Sequence, residues 1–130
     1  MGTMPKFIVP LLITASAAAL LSGCSGHGLH STVVSEDCSK AIEQQANAWA
    51  DTDTSEADLR KAQAKPLTAC AGLDEWATAV MNLPSSMGFD ELDLEQAAQN
   101  AYQVCEGGKE LKATAVCSDA KKRGYLDEDN

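Results

Sequence analysis

Five cysteines, two histidines and nineteen carboxylates are the chief reactive side chains of this 130-residue chain. The histidines, His27 and His30, stand three residues apart in a Gly- and Ser-containing stretch. That spacing suits two imidazoles on one metal ion, but a closed zinc site takes four ligands and a flexible segment supplies no more. Neither a metal nor a cofactor is therefore expected. With no other histidine in the chain, the Ser-His and Cys-His nucleophile systems lack their base. Catalysis by a carboxylate pair needs two particular acids set apart, and the sequence sets none apart. Asp51-Thr52-Asp53-Thr54-Ser55 resembles the start of a calcium loop, but Glu56 stands where glycine is needed and Ala62 where the bidentate Glu is needed. Asp51 and Asp53 read instead as turn and capping residues. Cys38, Cys70, Cys105 and Cys117 form no Cys-x-x-Cys motif, which points to structural bridges rather than redox chemistry.

The fifth cysteine belongs to a different pattern. Lys6 precedes an uncharged apolar run from Phe7 to Leu21, too short to span a bilayer as a helix and of the length of a signal-peptide core. The run ends in Leu21-Ser22-Gly23-Cys24, which resembles the lipobox of bacterial lipoproteins. The resemblance implies that Cys24 is S-acylated with diacylglycerol and becomes the mature N-terminus once residues 1–23 are removed. Cleavage instead after Ala15-Ser16-Ala17 or Ala17-Ala18-Ala19 would leave an odd cysteine in an oxidising compartment, whereas acylating Cys24 leaves an even four. The expected location is outside the cytoplasm, on the bacterial cell membrane or outer membrane. The membrane partner is reached through the acyl chains, two or more of which hold stably. By the same resemblance, Ser25 after the modified cysteine favours the outer membrane of a double-membraned cell. The acidic, Ala-rich remainder is similar in composition to small actinobacterial envelope lipoproteins.

Residues 1–23 contain one basic and no acidic side chain, so their removal takes the formal net charge from −9 to −10. That balance excludes nucleic acid as a partner, because its phosphates would be repelled. It also disfavours a domain lying flat on an anionic bilayer. A mature chain of this size buries a modest core, for which covalent staples are useful. Abundant alanine and few aromatics suit closely packed helices.

The periodicity predicts an all-α bundle of four or five short helices stapled by two disulfides, with a flexible tether over 24–34, a domain over 35–124 and an acidic tail over 125–130. The first helix runs from Glu36 to Ala50 with Ser35 as cap and a stripe of Cys38, Ile42, Gln45, Ala46 and Trp49. The second follows a turn near Thr52 and carries Leu59, Ala62, Leu67 and Cys70. It kinks or restarts at Pro66, and Gly72 closes it. A third covers Asp74 to Leu83, a fourth Leu92 to Cys105, and a fifth Lys109 to Arg123, with Gly107-Gly108 between the last two.

Four cysteines allow three pairings. If the first two helices form an antiparallel hairpin, Cys38 and Cys70 meet at its open end, which favours Cys38–Cys70 and leaves Cys105–Cys117. The second pair fits a regular hairpin poorly, so part of Lys109–Thr114 is expected to be irregular. Met81, Leu83, Met87 and Phe89 concentrate apolar side chains around a loop and are the candidate partner-binding residues; folding back into the core is the competing use for them. The expected function is a noncatalytic binding or interaction module that recognises an envelope protein or small ligand. The alternatives are an inhibitor of a cationic extracellular enzyme such as a lysozyme, and a carboxylate-based envelope enzyme.

Overall fold

The computed structural model describes residues 28–126. Cys24 with its lipobox, His27 and residues 127–130 lie outside the described residues. Helix α1 spans Glu36–Ala50, α2 Glu56–Ala69, α3 Leu73–Asn82, α4 Leu94–Gln99, α5 Ala101–Cys105 and α6 Ala115–Lys122. Two 3-10 turns, Pro84–Met87 and Lys109–Ala113, lie between them. The described residues contain no strand, and with α4 and α5 taken as one interrupted helix the bundle has five.

Local chemistry sets most of these boundaries. Ser35, Ser55 and Thr114 each accept a hydrogen bond from the backbone N–H three residues on, starting α1, α2 and α6. Asp93 and Gln96 form a reciprocal capping box at α4. Between α1 and α2, Asp51 accepts from the backbone N–H of Asp53 at 2.9 Å, closing the turn read from the sequence.

Several boundaries differ from expectation. Pro66 does not restart α2; it lies in the last turn, where its own carbonyl still accepts from Cys70 N–H at 2.9 Å. Gly72 begins α3 rather than only closing α2. The expected fourth helix starts two residues late and breaks at Asn100, whose side-chain amide donates to the Gln96 carbonyl at 2.8 Å, a local competitor of the helical ladder. The first part of the expected fifth helix is 3-10, in keeping with the irregularity anticipated for the second disulfide.

Helix α3 is the centre of the molecule. Seven of its ten residues are buried, and it touches α1, α4, α6 and the Pro84–Met87 turn. Its apolar face is legible in the sequence, but its central place among four neighbours is a tertiary fact that the pattern alone does not carry. Trp76 is its largest buried side chain. Cys38–Cys70 ties α1 to the end of α2 with a Cα separation of 4.6 Å, and Cys105–Cys117 ties α5 to α6 at 5.6 Å. All four cysteines are fully buried.

Both ends of the domain extend past their expected limits. Leu29 and Val34, assigned to the tether, pack against the core. Tyr125 and Leu126, assigned to the tail, do the same, and Leu126 is buried. Among the described residues no helix is long and apolar enough to cross a membrane. The two bridges fit an oxidising, extracytoplasmic environment.

Candidate functional site

The last turn of α1 overhangs the core, and this leaves Trp49 43% exposed although it continues the Cys38–Ile42 stripe. Trp49 stays half-exposed because the Pro84–Met87 turn and the start of α2 flank this end of α1 without enclosing the indole. Gln45, fully buried one turn earlier, holds that turn in place. Its side-chain amide donates to the Ser86 carbonyl at 2.7 Å and to Met87 Sδ at 2.9 Å. Gly88 then adopts a left-handed conformation, φ 79°, and reverses the chain. A Cβ there would sit 3.6 Å from the Trp49 ring, so the indole lies directly over the glycine. The next residue, Phe89, is 41% exposed.

Trp49, Met87 and Phe89 form one end of a hollow of about 310 Å³ whose walls are α2 and α5. Leu59 and Arg60 stand on the α2 wall, Gln103 and Val104 on the α5 wall. Arg60, Gln63, Gln103 and Val104 also line a second hollow of about 390 Å³ that ends at Gly107 and Leu111. The two therefore adjoin along α2 and α5 as one groove, whose lining mixes apolar Leu59, Met87 and Val104 with a polar rim of Glu56, Arg60, Gln63 and Gln103. Glu56 and Glu106 stand on that rim, and the Arg60 guanidinium is engaged by Glu56 at 2.7 Å.

Of the four residues proposed from the sequence, Met87 and Phe89 meet in this groove. Met81 and Leu83 do not; both are partly buried against the core, and Leu83 lines a separate small hollow with Val34 and Ile42. The sequence reading missed Trp49, Leu59 and Val104. Trp49 had a signal: it is the last apolar residue before a turn, beyond the reach of a short hairpin.

A second cleft, about 480 Å³, lies between the N-terminal arm and α6. Its acids are already in use. Asp74 receives both terminal nitrogens of Arg123, at 2.7 and 3.1 Å, and the backbone N–H of His30 at 3.3 Å. Glu75 accepts from the N–H groups of Ser35 and Ala71, at 2.7 and 2.6 Å. Asp119 caps α3 from a distance, taking the Leu73 N–H at 2.9 Å while it also binds Arg123 Nε. Burial pushes the carboxyls of Asp74 and Glu75 up, and these hydrogen bonds outweigh it, leaving both below their ordinary values. Carboxylates held ionised in this way are poor proton donors near neutrality, and the cluster holds the fold together rather than offering a general acid. On the far side of α6, burial and then Glu95, its hydrogen-bond acceptor, push the Tyr125 phenol up.

Among the described residues no set of three or more His, Cys, Asp or Glu converges as metal ligands. His30 is exposed; its backbone N–H bonds Asp74, and its imidazole lies near enough to act on the same carboxylate electrostatically. No family model, curated protein or solved structure matches the chain.

Proposed function

We propose that the chain is an exported, lipid-anchored interaction module that captures an envelope protein or small ligand without transforming it. The observation that carries this reading is the placement of Trp49 and Phe89, two large side chains kept half-exposed at the mouth of an apolar groove. A small domain short of aromatic residues gains stability by burying them, and hydrophobic side chains grouped at a groove are characteristic of binding surfaces. The lipobox supports the anchor, and the structural employment of Asp74, Glu75 and Asp119 supports a noncatalytic role.

Two experiments test the two halves. Metabolic labelling with an alkyne fatty acid should mark the wild-type chain and not Cys24→Ala; labelling of both would remove the lipoprotein reading. Crosslinking on intact cells should retain a reproducible partner that Phe89→Ala loses while the domain stays folded, its melting temperature falling by no more than about 5 °C. A partner retained by that variant would move the site away from the groove.

A further inference from the structure

We infer that the occupant of the Trp49–Phe89 groove is a short cationic segment with an apolar anchor, presented by a partner protein. The inference rests on the interaction reading and names the chemistry of its ligand. Shape gives the first constraint. From Glu56 to Gln63 the α2 wall runs about 10 Å, the length of roughly three extended residues. Leu59, Met87 and Val104 make the floor, so one aliphatic or aromatic side chain can be enclosed there.

Charge gives the second constraint. Glu56 and Glu106 stand on the rim. Outside the lining itself, the short exposed stretches that follow the two mouth aromatics in sequence each carry two acids, Asp51 and Asp53 after Trp49, and Asp90 and Glu91 after Phe89. The rim cation, Arg60, is paired with Glu56, so Glu56, Glu106 and Arg60 together leave the rim one net negative charge, and the neighbouring Lys61 approaches Asp58 at 3.9 Å. A mature chain of formal charge −10 adds a long-range field of the same sign. A second copy would bring an equal negative charge, and a neutral glycan would find hydrogen-bond partners on this rim but gain nothing from its net charge or from the field of the whole chain. A cationic segment satisfies both floor and rim: its anchor fills the groove while its Lys or Arg side chains meet the flanking carboxylates.

The test uses the full chain and three defined probes. The first is a peptide of about eight residues with a central Leu pair flanked by Lys, long enough to cover the groove and its ends. The second carries Glu in place of each Lys, and the third is an oligosaccharide of N-acetylglucosamine. None contains tryptophan, so a change in emission reports Trp49, with Trp76 a buried background. The cationic peptide should bind, its acidic twin at least about tenfold more weakly, and raising salt from about 50 to about 300 mM should weaken it severalfold. Trp49→Ala and Phe89→Ala should each lower affinity about tenfold, as for anchor residues of an interface, read for both variants by isothermal titration calorimetry because Trp49→Ala removes the emission reporter. The combined Asp90→Asn and Glu91→Gln variant, which touches only exposed side chains, should lower affinity and salt dependence while melting stays unchanged. Equal binding of the two peptides, absence of binding by the cationic one, or binding unaffected by the aromatic variants would overturn the inference. Saturable binding of the oligosaccharide alone would replace it with glycan recognition. If the peptides fail yet a cellular crosslink is still lost with Phe89→Ala, the cationic chemistry falls and the interaction reading stands. If the crosslink is absent as well, both fall.

Discussion

Gly88 joins the backbone to the groove. Its φ of 79° is in the left-handed region, which costs other residues about 1 kcal/mol or more, and the Trp49 ring lies over it. Gly88→Ala is therefore expected to destabilise the fold by roughly 1–2 kcal/mol and to shift Trp49 emission, because the new methyl meets the indole face. Thermal melting and fluorescence of the same sample check both halves. An unshifted spectrum would show that the indole does not rest on this turn. Phe89→Ala should behave oppositely, costing about 1 kcal/mol or less because the ring is half in solvent. The sequence made Phe89 and Met87 visible as loop hydrophobics. It could not reveal that Gln45, read as one member of a core stripe, spends its amide on the Ser86 carbonyl and so delivers Met87 to the groove. Such a pairing, forty-one residues apart, leaves no local signature.

At the level of elements, a local cap does not by itself decide what is legible: α1 matches its expected bounds, while α4 starts two residues later than expected despite its Asp93 capping box. Helix α3 was placed to within one residue at each end although its caps come from elsewhere. Gly72 offers no side chain, and the first N–H is taken by Asp119 of α6, forty-six residues away. The arm at 29–34 was misread as a free tether because its partners are distant in sequence. Asp74, Thr78 and Glu75 accept from the N–H groups of His30, Thr32 and Ser35, strapping it along α3. The strap carries a pH prediction. Asp74 and Glu75 are held below their ordinary values of 3.8 and 4.5. Depressed folded values mean that the stability they add is fully present above the unfolded values and is lost as pH falls through the folded ones. Melting temperature should thus be insensitive to these two groups above about pH 5.5 and decline as pH falls below about 4.5. Glu75→Gln should cost about 1–3 kcal/mol at neutral pH, since its amide nitrogen cannot accept the bond it replaces, and should flatten the acid limb. An unchanged acid limb would place the pH sensitivity elsewhere. The disulfides answer to a separate measurement. Replacing Cys38 and Cys70 together by Ala should cost about 2–5 kcal/mol and leave the domain protease-sensitive, whereas unaltered melting after full reduction would deny the bridges a stabilising role.

For the molecule as a whole, the direction of α1 determines what the proposed anchor and groove can do together. The arm enters at the N-terminal end of α1, and thirteen residues after Glu36, about 20 Å along the axis, Trp49 stands at the other end. Because the arm is strapped down from Leu29, the stretch from Cys24 to Leu29 spans at most about 18 Å, so the body stays close to the bilayer it is proposed to be anchored in. A groove at the anchored end would compete with lipid for its apolar floor; one at the far end faces partners arriving from the aqueous side. This arrangement follows from the order of arm, cap and helix in the chain, but the sequence disclosed it only once the arm was known to be docked. Lipidated protein in bilayers with brominated acyl chains should therefore keep its Trp49 emission, with Trp76 contributing equally in brominated and plain lipid. A Val33→Trp variant, placed on the arm at a position 90% exposed and so tolerant of a larger side chain, should lose emission in the same vesicles. Quenching of Trp49 with sparing of residue 33 would mean that the groove faces the membrane, and its occupant would then have to be sought among lipids rather than among cationic protein segments.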